Sequence, residues 1–273
     1  AFLLAKGLKQ SKQRQKLASL IQLTVPGAPT VYYGDEVGVT GDDDPDDRRT
    51  YPWADLGGSP DTTMFAHYQA LASLRKQNAV LTRGNFRMLL ADDAANTLAY
   101  GRATGNQAAI VAINRNNTTQ TLNIPVNGYL PNGTTLARRH GVGNSASGSV
   151  SVANGAVQVT LAPLSGLLLV SGNIDLTPPD APANLHVTSE GNATVGLAWN
   201  SASGAAGYNI YRSPVSGGGW VKVGTTSGTT FTDTSLQNAR SYYYAVTALD
   251  SIGNESAPSA EISALPHLTI GWA

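Results

Sequence analysis

The sequence predicts a multidomain protein: an α/β segment over residues 1–84, then two all-β sandwiches over 85–172 and 181–266. Three observations predict it. In the first segment, apolar residues repeat at helical spacing on either side of one β-branched and aromatic run. Residues 85–172 hold only strand-like runs, parted by turn residues at a spacing of roughly 8–12 residues. A proline-rich linker, 173–180, then opens a third stretch that is again strands and turns, and residues 267–273 read as a linker or the start of a further module.

Taken in order, Leu17, Leu20, Ile21 and Leu23 form a helical stripe after a polar, basic lead-in. Val25-Pro26-Gly27 must stop that helix, because proline disfavours helix in the residue before it and Gly27 invites a turn. Thr30-Val31-Tyr32-Tyr33, bounded by Pro29 and Gly34, reads as a short buried strand. A loop follows over 35–60. Asp61 is a plausible cap for a second helix, with Met64, Tyr68, Leu71 and Leu74 on one face and an end near Asn78. One strand cannot make a sheet. Leu17, Leu20, Tyr32, Tyr33 and Leu71 are therefore expected to be partly exposed.

The second stretch gives NFRMLLA, TLAYGRA, QAAIVAINR, TQTLNIPV, TTLARRH, GSVSVANGAVQVTLAP and GLLLVSG as strand runs. The linker carries Pro178, Pro179 and Pro182. About seven short strands follow, as an immunoglobulin-like sandwich requires, with Trp199 in an alternating strand and Leu236 and Tyr242 at corner positions.

Composition narrows the function classes. Lys plus Arg number 18 and Asp plus Glu number 18, so no basic nucleic-acid footprint exists. Charged residues are only 13%, so Ser, Thr, Asn, Gln and Gly must build the surface, which suits an exported protein. Cysteine is absent, which removes disulfide frameworks and thiolate metal sites but leaves the compartment open. No apolar run is long enough to span a membrane. AFLLAKGLKQSKQRQK is not a signal peptide, since its apolar patch is short and its charges follow rather than precede it. With Ala1 at the front, the chain is expected to begin inside a larger protein.

The stretch LIQLTVPGAPTVYYGDEVGVTGDDDPDDRRTYPW closely resembles the end of the catalytic barrel in the α-amylase family, glycoside hydrolase family 13, with neopullulanase-like and amylopullulanase enzymes nearest in pattern. YYGDE resembles that family's eighth strand, DPDDRR the loop after it, and FAHYQALASLRKQNAVL its last barrel helix. Residues 85–172 resemble its β-sandwich domain C. Residues 178–266 resemble a fibronectin type III module through LAW, YNIYRS, YYYAVTALD and GNESAPS. The implied fold is a C-terminal remnant of a (β/α)8 barrel, then domain C, then a fibronectin type III sandwich.

The resemblance implies a retaining hydrolase of α-glucosidic bonds in starch or pullulan, secreted, with an α-glucan as partner. Barrel function sits on loops at the carboxyl ends of strands, and residues 35–60 are such a loop. In the family, an Asp and an Arg four residues later bind glucose hydroxyls, and Asp44 and Arg48 match that spacing. A carboxylate accepts from sugar hydroxyls and a guanidinium donates in a fixed fork. The competing reading is a solvated turn held by ion pairs.

No catalytic residue is assigned in this chain. A retaining glycosidase needs two carboxylates about 5–5.5 Å apart, and in the family these lie on earlier strands, in the missing N-terminal part of the barrel. Asp35 and Glu36 read as structural. Asp42, Asp44 and Asp46 mimic the start of an EF-hand, but Asp47 stands where glycine is needed and Trp53 where glutamate is needed, so no metal ligands are assigned. No cofactor is expected in this chain, and calcium belongs, if anywhere, to a longer parent. His67, His140, His186 and His267 are scattered without metal-ligand spacing. Trp220 and Tyr129 are the candidates for stacking on sugar rings. The chain alone is thus expected to be inactive, and the alternative is a non-catalytic β-sandwich protein that binds carbohydrate or spaces other modules.

Overall fold

A computed structural model describes residues 8–41 and 46–268. The chain divides into two compact units, 1–176 and 177–273. In the first unit, helix α1 spans Leu8–Gln22 and closes in a turn that carries Gly27 at φ 100°. Helix α2 spans Thr62–Gln77, and a short α3 follows over Ala79–Arg83.

Asp61 caps α2. Its Oδ1 accepts from the Thr63 and Met64 backbone N–H groups at 3.0 Å each, and its Oδ2 accepts from Lys12 Nζ at 2.6 Å. These bonds hold the Asp61 carboxyl well below the ordinary carboxylate range, the Lys12 bond foremost. Asp61→Ala removes the cap and the tie between α1 and α2 together. It is expected to cost the first unit about 2 kcal/mol, read from its urea midpoint.

Eight strands follow: β1 (Asn85–Asp92), β2 (Thr97–Ala103), β3 (Ala108–Asn114), β4 (Gln120–Pro125), β5 (Thr135–Val142), β6 (Ser149–Ser151), β7 (Ala156–Leu161) and β8 (Ser165–Ser171). Six form an antiparallel sheet in the order β1-β2-β3-β8-β5-β6, and β4 pairs with β7. The large sheet is covered on both faces. One face meets β4 and β7 through Ile110, Ile124, Val157, Leu167 and Leu169. The other meets the helices through Leu17, Leu20, Met64, Leu71, Val111 and Leu168. Double cover explains why β3 and β8 are buried throughout and read as continuous apolar runs. Gly166 on β8 permits the approach of α1, since a Cβ there would stand 2.8 Å from the Leu20 side chain.

Two expectations are corrected here. Leu17, Leu20 and Leu71 are buried, because the helix faces pack on the β-sandwich and need no barrel to cover them. Residues 30–33 form no strand: Val31, Tyr32 and Tyr33 are exposed, and among the described residues their β propensity finds no neighbouring strand to pair with. Tyr32 and Tyr33 are thus the two of the five residues whose exposure the structure bears out.

The second unit holds, among its described residues, β9 (His186–Gly191), β10 (Thr194–Ala198), β11 (Gly207–Ser213), β12 (Val221–Thr226), β13 (Thr230–Asp233), β14 (Tyr242–Leu249) and β15 (Ile262–Ala264). They make one sheet β13-β10-β9 and another β12-β11-β14-β15. The core holds Trp199, Tyr208, Ile210, Tyr244 and Val246, with the Trp199 and Tyr208 rings edge-on at 5.4 Å. Leu236 and Tyr242 are buried at the corner, and the Tyr242 hydroxyl accepts from the Gln237 backbone N–H at 3.1 Å. Asp233 joins the two sheets, taking the Arg212 guanidinium on both oxygens and the Tyr244 hydroxyl at 2.8 Å.

Candidate functional site

The loop between α1 and α2 is built from tight turns. Gly34 and Gly38, at φ 90° and 67°, bracket a 3-10 turn at Asp35–Val37. A second turn covers Asp46–Arg48 and a third Ala54–Leu56, closed by Gly57 at φ 80°. The Asp61 backbone N–H donates to Val37 O at 3.0 Å, which pins the far end of the loop to its beginning.

Arg48 lies exposed at the end of the second turn. Asp44, its expected partner, lies outside the described residues, as do Asp42 and Asp43. The neighbouring Arg49 makes a two-pronged ion pair with Asp46, Nε to Oδ1 and Nη2 to Oδ2 at 2.7 Å each. The Tyr33 hydroxyl reaches Arg49 O at 3.3 Å. A small cleft of about 140 Å³ opens between Tyr33, Asp35, Thr40 and Arg49. Burial raises the Asp35 carboxyl, whose backbone oxygen accepts from Gln15 on α1 at 2.9 Å. The Tyr51 and Trp53 rings, later in the same loop, lie 4.5 Å apart and tilted by 42°, and Trp53 is exposed. The loop therefore carries an exposed Arg48, an exposed Trp53 ring and the Tyr33 hydroxyl, residue types able to hold the polar rim and apolar face of a sugar.

Sequence spacing missed the polar centre of the first unit. Ser19 Oγ and His67 Nε2 lie 2.8 Å apart, and His67 Nδ1 lies 2.9 Å from His140 Nε2. The bulge at Arg139 makes this possible: Arg138 pairs with Leu169 and His140 with Leu168, so His140 turns to the helix side of the sheet. Burial lowers His67 to about 4, with the neighbouring His140 adding to the effect, and burial lowers His140 as well. Ser19 is fully buried, and its hydroxyl also donates to Lys16 O at 3.0 Å, so the trio is a structural tie rather than a nucleophile and base.

Two buried arginines close the same interface. Arg75 donates to the carbonyls of Leu23, Val25, Gly27 and Leu81, and Arg102 to those of Thr24, Leu81 and Gly84. A signal existed for both. Arg75 continues the Met64–Tyr68–Leu71 face, and Arg102 alternates with Tyr100 and Leu98.

Of the two stacking candidates, Tyr129 is structural. Its hydroxyl donates within the sandwich, lying 2.9 Å from both Arg102 O and Ala109 O, and its ring fills the space above Gly101. Trp220 lies on the surface of the second unit. Among the described residues no three His, Asp or Glu side chains converge as metal ligands.

Residues 180–264 match the Fibronectin type III domain family. The amylopullulanase of Thermoanaerobacterium thermosulfurigenes is 40% identical to this chain over 96% of its residues, and that of Thermoanaerobacterium saccharolyticum 38% identical over 96%. The chain spans only 14% and 21% of the lengths of those relatives. Among solved structures, an Anoxybacillus α-amylase superposes with a TM-score of 0.51 at 25% identity, over 59% of this chain and 33% of that one.

Proposed function

We propose, from the premise that this chain is related over 96% of its length to the amylopullulanases and so to the α-amylase family, that it is the C-terminal portion of a secreted α-glucan hydrolase. That relatedness carries the reading. In it, the loop 35–60 is one wall of a substrate cleft, with Asp44 and Arg48 holding hydroxyls of one glucose unit. Exposed Val31, Tyr32 and Tyr33 are where neighbouring barrel strands would pair. The two carboxylates a retaining mechanism needs belong to those earlier strands, and this chain alone is inactive.

One observation favours a second reading. The helices bury Leu17, Leu20 and Leu71 fully in their own unit, so the chain can stand as a non-catalytic carbohydrate-binding or spacer protein.

The test compares this chain with the full product of its reading frame on pullulan and soluble starch. The chain is expected to release no reducing sugar, and the longer product to release it. In the longer product, Arg48→Ala is expected to raise KM about tenfold, the loss of one charge-assisted hydrogen bond. Reducing sugar from the pure chain would overturn the claim of inactivity. An inert longer product would leave the binding or spacer reading.

A further inference from the structure

Three Asn-Gly pairs occur in the chain, at 127–128, 132–133 and 154–155. Such a pair undergoes slow spontaneous deamidation. The glycine backbone nitrogen gives up its proton to solvent and attacks the asparagine Cγ. An N–Cγ bond forms, the Cγ–Nδ2 bond breaks, and ammonia leaves a five-membered succinimide. Water then opens the ring to aspartate or, where the main chain is rerouted through Cγ, to isoaspartate. Glycine favours the attack because it has no Cβ to crowd the nitrogen and leaves the backbone free to turn. The fold treats the three pairs differently.

Attack needs a glycine N–H that is open to water and free of a protein acceptor. The Gly133 N–H donates to Val152 O at 2.9 Å. Gly155 is buried, and its N–H donates to Asn132 Oδ1 at 2.8 Å, a bond that also ties down the Asn132 carboxamide. Gly128 differs from both. It and Asn127 are exposed, and among the described residues no acceptor meets the Gly128 N–H. The reason is the turn. Gly128, at φ 63°, is the third residue of a turn closed by the Tyr129 N–H on Val126 O at 2.9 Å. A β-turn bonds its first carbonyl to its fourth N–H, so the peptide between its two central residues is left to solvent.

Arg87 acts on that same peptide. Its guanidinium donates to Gly128 O at 2.6 Å and to Asn127 O at 3.4 Å. Asn127 O belongs to the peptide whose nitrogen must lose its proton, and a cation beside that oxygen favours the anionic amide. We infer that Asn127 is a site of spontaneous deamidation, modified ahead of Asn132 and Asn154 and assisted by Arg87. The product falls where the packing is close. The Asn127 carboxamide lies so near Gly155 that a Cβ there has no room. Isoaspartate lengthens the main chain by one carbon two residues before Tyr129, whose hydroxyl braces Arg102 O and Ala109 O.

The test incubates the whole chain in mildly alkaline buffer and follows each asparagine by peptide mass mapping, with enzymatic methylation to mark isoaspartate. In the native chain Asn127 is expected to convert at least about tenfold faster than Asn132 and Asn154, the scale of one hydrogen bond that must open before attack. In strong urea the turn and the competing bonds are gone, and the three rates should converge. Arg87→Ala is expected to slow Asn127 in the native chain and leave its rate in urea alone. Conversion of Asn132 or Asn154 first, or of all three at one pace in the native chain, would overturn the site. A lead of Asn127 that persists in urea would overturn the structural cause, since local sequence would then suffice. An Asn127 rate unchanged or raised in Arg87→Ala would overturn the part given to the guanidinium. The wild-type chain decides the site even if the variant fails to fold.

Discussion

Arg102→Ala is expected to lower the stability of the first unit by about 4 kcal/mol, the largest effect of any single change considered. Arg102 is 1% exposed, and its four hydrogen bonds all go to backbone carbonyls: Gly84 twice, at 3.1 and 2.8 Å, Leu81 at 3.0 Å and Thr24 at 2.5 Å. The Thr24 carbonyl lies just past the C-terminus of α1, where helices leave their last carbonyls without partners and favour positive charge. Arg75 shares Leu81 O at 2.8 Å, so that group keeps a partner when Arg102 is cut, while Thr24 O and Gly84 O do not. Two orphaned buried carbonyls cost about 1–3 kcal/mol each, and the vacated volume adds to this. Relief of the buried cation works the other way. Burial lowers the Arg102 guanidinium, and nearby Arg75 adds to that. The carbonyls offset most of this penalty in the native protein, so the sign stays destabilising. Arg102→Lys should rescue little, because one ammonium cannot span three carbonyls as a planar fork does. Urea unfolding of the whole chain checks this: the transition of the first unit should fall and that of the second should stay. A drop below about 1 kcal/mol would mean that water replaces the lost donors.

How far the sequence foretold this can be judged residue by residue. Local period and end signals were sufficient where the answer is local. Asp61 caps α2 as its position before Thr62 suggests, and Val25-Pro26-Gly27 ends the first helix in a turn. Leu236 and Tyr242 take the corner because the spacing is set within one strand connection. The reading failed where a partner had to be known. Thr30-Val31-Tyr32-Tyr33 has every local mark of a strand, yet pairing is a property of the neighbour, and none stands beside it among the described residues. The buried state of Leu17, Leu20 and Leu71 failed for the converse reason: helical period shows that a face is apolar, not what covers it. His67 and His140 lie 73 positions apart in sequence, and their meeting depends on a one-residue bulge that no pattern marks. In the candidate loop two kinds of signal differ. The spacing of Asp44 and Arg48 comes from a family resemblance. The clasp of Arg49 by Asp46 is a turn-scale event that the excess of aspartates suggests.

The same His67–His140 tie sets how the first unit responds to acid. His67 takes a proton at its ordinary 6.5 when unfolded but only near 4 when folded. Between those values the unfolded chain binds more protons, so stability falls as pH falls. The difference corresponds to about 3 kcal/mol, fully present above pH 6.5 and lost by about pH 4. Burial is the main cause and the His140 ring the second, with Lys16 on α1 adding a further cation that opposes protonation. His140 is lowered too and steepens the same window. Asp61 acts in a different window. Its carboxyl is depressed from 3.8, so its contribution is present above that value and is lost only as pH falls below it. The two windows separate the causes. Urea midpoints of the first unit should drop between pH 6.5 and 4.5 in the native chain. They should drop much less in His67→Gln, which keeps a polar side chain beside Ser19 Oγ but cannot take up a proton. Equal slopes in both proteins would place the acid sensitivity elsewhere. A slope that survives in His67→Gln and vanishes in His140→Gln would assign the proton to the strand rather than the helix. Either result reads directly on whether the bulge at Arg139 turns His140 inward, the one feature of the sheet that brings the two rings together.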